Sequence, residues 1–179
     1  MQKNASCRFS LAVMSDDYKE KILSALASVD TNNLDAKTDL LATTYNGHIA
    51  DILNSLQHIF TSINDNHTHI TMEANLSSTN IAREITNTNH EIITKSFLTH
   101  GKVAIYPLGT VDYKSHIMQT IDIAKRYNLC DMQMIHGCDF HGDVNEIFNF
   151  LHEIYGYASV QLDDFVIQFS LSINSPTLN

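Results

Sequence analysis

Apolar and polar side chains alternate along residues 8–14, RFSLAVM. Successive side chains of a strand point to opposite faces, so this pattern predicts a half-buried strand. Ser15, Asp16 and Asp17 follow, and residues of these types cap helix starts, which predicts a helix N-terminus here. Beyond them an apolar stripe at helical spacing predicts a helix, and it consists of Tyr18, Ile22, Leu26 and Val29.

The next segments complete one folding unit. Residues 34–45 favour an extended conformation, with two strands that turn around residues 38–40. The strongest helical stripe of the chain follows, formed by Ile49, Ile52, Leu53, Leu56, Ile59, Phe60 and Ile63. Residues 67–76 alternate again and predict a last strand. The predicted order is strand, helix, strand, strand, helix, strand.

The second half of the chain repeats this unit. The segment CRFSLAVMSDDYKEKILSALASV, Cys7 to Val29, is matched by GKVAIYPLGTVDYKSHIMQTIDIA, Gly101 to Ala124. The later segment NGHIADILNSLQHIF is likewise matched by HGDVNEIFNFLHEIY. A period of roughly 95 residues is too long for a solenoid and indicates two small domains of one fold.

The repeated order predicts an α+β protein with two tandem ferredoxin-like βαββαβ repeats. Each repeat is expected to form an antiparallel four-stranded sheet with two helices on one face, and its first and third strands adjacent at the centre. We place repeat 1 at residues 7–77, a linker rich in Ser, Thr and Asn at 78–100, and repeat 2 at 101–177. The uncovered face of each sheet must meet water, a ligand or another chain.

Composition narrows the range of functions. Hydrophobic residues make up 44 % of the chain, enough for a packed core, and no segment approaches membrane-spanning length. The net charge of −9 disfavours nucleic acid and anionic lipid as partners. Three cysteines without a disulfide-framework spacing favour a reduced, cytoplasmic setting.

The sequence contains no established catalytic motif and predicts neither a resident metal nor a cofactor. His136, Cys138 and His141 in HGCDFH come nearest to a metal cluster, but their spacing matches no standard zinc signature. Cys138 with either histidine is also the sole candidate pair of nucleophile and base.

Polar residues of the extended segments are better candidates for binding. Lys37, Thr38 and Asp39 lie together in a segment that continues to Thr43. Asp39 can form a structural ion pair, or it can accept hydrogen bonds from a polar heterocycle held on the sheet. We expect Ser10 and its neighbour Leu11 on the first strand to lie beside the threonine on the third strand.

The same segments resemble the YkoF family. In the first repeat the resemblance rests on CRFSL, the pair Asp16–Asp17, the run KTD and NG before the second helix. In the second repeat it rests on AIYPL, Asp112–Tyr113, IMQTIDIAK, HGDVNEIF and the C-terminal LSINSPT. The similar segments keep their order and spacing over nearly the whole chain.

The resemblance implies a non-enzymatic cytoplasmic protein that binds thiamine or its hydroxymethylpyrimidine moiety and serves salvage or transport of the vitamin or its precursor. It also implies an intimate homodimer and a transporter or enzyme that receives the ligand. One pocket per repeat is implied, the first drawing on Ser10, Leu11, Thr38, Asp39 and Thr43. The second would draw on Ile105, Tyr106, His136, Cys138 and Asp139. The alternative is a regulatory domain of the ACT type, which uses the same unit to sense another metabolite.

The two copies differ at positions that matter for binding. Cys138 aligns with Thr43, and Met134 aligns with Asp39. A thiol is a weaker hydrogen-bond partner than a hydroxyl, and a thioether cannot replace a carboxylate. The two pockets are therefore expected to be unequal.

Overall fold

The computed structural model describes residues 4–79 and 95–178. The elements of the first repeat are β1 (Asn4–Val13), α1 (Tyr18–Ala27), β2 (Asp35–Thr38), β3 (Thr43–Gly47), α2 (Ile49–Ile63) and β4 (Ile70–Thr79). Those of the second are β5 (Leu98–Leu108), α3 (Tyr113–Arg126), β6 (Cys130–Gln133), β7 (Gly137–Asp143), α4 (Val144–Gln161) and β8 (Asp164–Ile173). A short 3-10 turn, Pro176–Leu178, follows. The predicted βαββαβ order is confirmed in both halves.

All eight strands form one antiparallel sheet in the order β2-β3-β1-β4-β8-β5-β7-β6. Within each repeat the first and third strands are neighbours, as predicted for a ferredoxin-like unit. The two sheets are joined where β4 pairs with β8 over the register from Ile70–Ile173 to Ser77–Val166. The sequence did not predict this junction, which hides one edge strand of each repeat.

The helices cover only one face of the sheet. Along β8 the side chains of Phe165, Ile167 and Phe169 are buried, whereas Gln168 and Ser170, at the alternate positions, point to the other face. Helices α2 and α4 pack against each other over the strand junction, and the buried residues form a single core. As far as the described residues go, the sheet therefore has one continuous face that no helix covers, here called the uncovered face, instead of a separate one for each repeat.

Side chains cap the second helix of each repeat but not α1. The Nδ1 atom of His48 accepts the backbone N–H of Ala50 at 3.3 Å, and an Asp143 carboxylate oxygen accepts that of Asn145 at 2.8 Å. Asp17 occupies the N-cap position of α1 without capping the backbone, so the predicted capping is wrong. Its carboxylate instead lies 3.3 Å from the Lys21 ammonium one turn later.

The predicted linker 78–100 overlaps the end of β4 and the start of β5. Residues 80–94 of this predicted linker lie outside the described residues. Among the helices described, none combines the length and the apolar character that crossing a membrane requires.

Candidate functional site

A groove of about 470 Å³ opens on the uncovered face of the second repeat, beside the hairpin that joins β6 and β7. Lys102 and Tyr106 reach it from β5, Met134 and His136 from the hairpin, and Gln168 from β8. The side chains lining it therefore come from three separate segments. Their arrangement depends on the antiparallel pairing of β5 with both β7 and β8.

Small residues create the space for the groove. Ala104 pairs with Gly137 on one side and with Gln168 on the other, so no large side chain covers this part of β5. A Cβ atom added to Gly137 would lie 1.8 Å from the carbonyl oxygen of Val103. Only glycine permits such a close approach of β7 to β5.

Aromatic rings form one wall of the groove. The ring centroids of Tyr106 and His136 lie 5.5 Å apart with a 41° angle between the ring planes. The Tyr106 hydroxyl donates to Oε1 of Gln168 at 3.3 Å, which leaves the amide nitrogen of Gln168 free to donate. This wall combines apolar ring surface with hydrogen-bonding groups, as small-molecule sites do.

Lys102 adds a positive charge at the end of the groove. It is exposed and lies opposite Asp139 on β7 and Ser170 on β8. Its ammonium forms no ion pair with any residue of 4–79 or 95–178. The nitrogen can therefore contact a ligand directly.

The residues predicted for the second pocket separate between the two faces of the sheet. Tyr106 and His136 line the groove together, and Asp139 lies nearby on the uncovered face. The side chains of Ile105 and Cys138 are fully buried on the helix side. Burial raises the pKa of the Cys138 thiol to about 12, so this sulfur stays protonated.

The residues predicted for the first pocket are also divided. Thr43 pairs with Phe9, so its side chain is buried on the helix side, whereas Ser10 points to the uncovered face. Leu11 is half-buried and packs against the core. The Thr43 hydroxyl lies 3.0 Å from that of Thr38 on β2. The Ser10 side chain and the Thr43 hydroxyl therefore lie on opposite faces of the sheet.

Asp39 forms an ion pair with Arg8. Its carboxylate accepts two hydrogen bonds from the guanidinium, at 2.7 and 3.1 Å, and two from the backbone N–H groups of Leu41 and Ala42. These contacts hold the pKa of the carboxyl well below its usual range, the guanidinium having the largest effect. Asp39 therefore forms a structural ion pair, and its partner is Arg8 on β1, not the nearby Lys37.

Sequence reasoning did not select Lys102, Met134 or Gln168 as site residues. The sequence carried one signal for Lys102. Every second side chain of a strand points to the same face, so Lys102, Ala104 and Tyr106 must share one. No such signal existed for Gln168, since it lies 62 residues after its partner Tyr106 and the pairing of β5 with β8 is a tertiary contact.

The three residues of the possible metal cluster do not converge. The Cys138 side chain faces the helices, whereas His136 lines the groove on the opposite face. The imidazole Nδ1 of His141 lies 2.6 Å from an Asp131 carboxylate oxygen instead. Within the described ranges, no three His, Cys, Asp or Glu side chains are placed to hold a metal ion.

A second groove, of about 420 Å³, lies on the helix side between α1 and the end of α2. Its Lys21 ammonium contacts Asp65 at 2.9 Å and the Thr68 hydroxyl at 3.2 Å. The cation of this groove is thus already neutralised. The groove also has no aromatic side chain in its lining. It is less suited to a flat heterocycle than the groove at the β6–β7 hairpin.

Comparison with known proteins gives two matches. The model of the YKOF-related family matches residues 4–81 and again residues 98–178. A Bacillus subtilis (strain 168) protein named "Putative HMP/thiamine-binding protein YkoF" is 27 % identical over 184 residues, which cover 97 % of this chain and 92 % of the relative.

Proposed function

Because the chain belongs to the YKOF-related family, whose model matches both halves, we propose that it binds hydroxymethylpyrimidine or thiamine in the groove beside the β6–β7 hairpin. It acts as a non-enzymatic cytoplasmic binding protein in salvage or transport of the vitamin or its precursor. It delivers the ligand to a transporter or an enzyme. The single observation that carries this proposal is the Tyr106–His136 wall beside polar groups in a chain of this family.

The chemistry of the pyrimidine suits the groove. An aminopyrimidine is a flat aromatic ring that carries hydrogen-bond donors and acceptors at its edge. The ring can stack on Tyr106 or His136, and its edge can reach Gln168 and Lys102. The groove floor at Ala104 and Gly137 leaves room for such a ring against the sheet.

A binding role is supported over catalysis by the position of the one candidate nucleophile. Cys138 lies in the core with its thiol protonated, and its side chain is on the opposite face of β7 from His141. A thiol needs a base within hydrogen-bond reach to be activated. These residues do not meet that requirement.

We further expect the working unit to be a homodimer. The uncovered face carries Gln168, Ser170 and Ser172 along β8, which are small and neutral and can pack against a second copy. An exposed sheet face of eight strands is otherwise large for a monomer. Sedimentation at micromolar concentration should give the mass of two chains, and a monomer at all concentrations would contradict the dimer.

Calorimetric titration tests the ligand proposal. Hydroxymethylpyrimidine and thiamine should bind the wild-type chain, and a set of free amino acids should not, which separates this function from an ACT-type sensor. Tyr106→Ala should weaken binding by about fivefold to a hundredfold, since stacking on an aromatic ring contributes ~1–3 kcal/mol. Tyr18→Ala is the matched control, because Tyr18 is exposed on α1 on the other side of the sheet. Absence of binding by both ligands, or equal loss in both variants, would overturn the proposal.

A further inference from the structure

The groove has a structural equivalent in the first repeat. The hairpin bond from the Met134 N–H to the Gly137 carbonyl, at 2.8 Å, matches the bond from the Asp39 N–H to the Ala42 carbonyl, at 3.0 Å. The pairing of Val103 with Cys138 in the second repeat matches that of Phe9 with Thr43 in the first. These registers place corresponding residues in the two copies without any appeal to sequence similarity.

Each copy has one cation at the same place, but the cations differ in their partners. Arg8 corresponds to Lys102, and Asp39 corresponds to Met134. In the first copy Asp39 neutralises the guanidinium through two hydrogen bonds. In the second copy the methionine supplies no charge, and the ammonium of Lys102 is left without an ion pair among the described residues.

The polar groups around this ammonium include further hydrogen-bond donors. Gln168 offers its amide N–H groups, because its oxygen is occupied by Tyr106. Ser170 lies directly opposite Lys102 on β8 and adds a hydroxyl. None of the described residues contributes a carboxylate to the groove lining, although Asp139 lies across from Lys102 on β7 and reduces the local positive potential. A ligand with an anionic group matches such a set of donors best.

We infer that the groove of the second repeat prefers a phosphorylated ligand, with Lys102 binding the phosphate of a pyrimidine phosphomonoester. This inference rests on the proposed function, since the ring is taken to lie on the Tyr106–His136 wall. Arg8 cannot serve the same purpose in the first repeat while Asp39 holds it. The two repeats should therefore differ in their affinity for a negatively charged ligand.

Calorimetry with matched ligands tests the inference. Hydroxymethylpyrimidine phosphate should bind about tenfold or more tightly than free hydroxymethylpyrimidine, the range expected for one charge-assisted hydrogen bond. Thiamine monophosphate should exceed thiamine in the same way. Lys102→Gln should weaken binding of the phosphorylated ligand far more than binding of the free pyrimidine and so remove this preference, whereas Lys102→Arg should retain it. Asp139→Asn should increase the preference for the phosphorylated ligand, since a negative charge beside Lys102 is lost.

A second experiment recreates in the second repeat the ion pair that Asp39 and Arg8 form in the first. Met134→Asp should pair with Lys102 as Asp39 pairs with Arg8, and the preference for the phosphorylated ligand should disappear. Met134→Asn is the control, because asparagine has the shape of aspartate without its charge, and this variant should retain the preference for the phosphorylated ligand. Thermal denaturation of each variant checks that the fold is intact. Titration with inorganic phosphate alone should show weak binding that Lys102→Gln abolishes.

The outcomes separate this inference from the proposed function. Equal binding of phosphorylated and free pyrimidine by the wild-type chain would overturn the inference and leave the pyrimidine site standing. A phosphate preference that survives both Lys102→Gln and Met134→Asp would overturn the assignment of Lys102. Failure of every pyrimidine ligand to bind would overturn the proposed function itself.

Discussion

The side-chain amide of Gln57 donates to the Asn145 side-chain oxygen at 2.7 Å, and these two residues belong to different repeats. Gln57 lies on α2, and Asn145 lies in the first turn of α4. The bond spans the helix layer above the strands that join the two halves of the sheet. The two repeats therefore share one helix layer, one sheet and one core.

This shared core predicts a single unfolding transition. Leu76 is fully buried and pairs with Ile167 where β4 meets β8. Leu76→Ala should lower the free energy of unfolding by about 2–5 kcal/mol, because a cavity forms at the junction. Asn75→Ala, on the exposed face of the same strand, is the control and should change the free energy of unfolding little. Denaturant titrations followed by circular dichroism and tyrosine fluorescence should coincide, and two separate transitions would contradict the shared core.

Asp39→Asn should lower thermal stability and leave ligand binding in the second-repeat groove unchanged. The substitution removes the ion pair with Arg8 and weakens the turn that Asp39 closes with Leu41 and Ala42. Asp35→Asn is a suitable control, since Asp35 is an exposed carboxylate on the neighbouring strand β2. Melting curves and calorimetry of the same samples separate the two effects. A loss of groove affinity without a loss of stability would assign Asp39 to ligand binding.

Stability should fall in acid, with Asp65 as a main contributor. Its carboxylate accepts hydrogen bonds from the His67 and Thr68 backbones, the Thr68 hydroxyl and the Lys21 ammonium. These contacts hold the pKa of Asp65 well below its usual range, with the Thr68 hydroxyl as the largest cause. A carboxyl whose pKa is lower in the folded state stabilises the fold above the unfolded pKa of about 4 and loses this effect as the pH falls.

The Asp65→Asn variant tests this assignment. Its melting temperature should be lower than that of the wild type at pH 7, and it should decline less between pH 5 and pH 2. Asp16→Asn changes an exposed carboxylate beside the start of α1 and serves as the control. Identical acid profiles for the wild type and Asp65→Asn would show that other carboxylates cause the loss.

Thiol alkylation should distinguish the three cysteines. Burial raises the pKa of both Cys7 and Cys138 to about 12, so these thiols stay protonated and inaccessible. Cys130 is only half-buried, on the edge strand β6. Iodoacetamide at pH 8 should label Cys130 first, and denaturant should expose all three, as peptide mass spectrometry can follow. Rapid labelling of Cys138 in the folded chain would contradict its burial.

The sequence predicted the elements because their signals are local. Alternation identified β1 and β4, and the stripe from Ile49 to Ile63 identified α2, since the buried face of such an element follows from the spacing of apolar residues within one short segment. The internal repeat then supplied the strand order within each unit. It also aligned Thr43 with Cys138, and the register of the sheet reproduces that alignment.

The sequence could place candidate residues only within single segments. It put Tyr106 on the first strand of the second repeat and His136 in the later extended segment, but their contact beside the groove forms between these two segments. Thr43 and Ser10 lie on neighbouring strands but on opposite faces, because the register pairs Thr43 with Phe9. A shift of one residue in pairing exchanges the faces of a strand, and no local pattern fixed this register.

The sequence by itself determined the repeated βαββαβ unit, its apolar faces and the family resemblance, all of which depend on order and spacing along the chain. Only the tertiary structure decided that β4 joins β8, that Asp39 neutralises Arg8, and that Lys102 lies beside Gln168 without an ion pair to any described residue. The physical reason is that ion pairs and grooves form between residues far apart in the chain. Their partners are set by strand register and by the packing of the two repeats, which local periodicity does not specify.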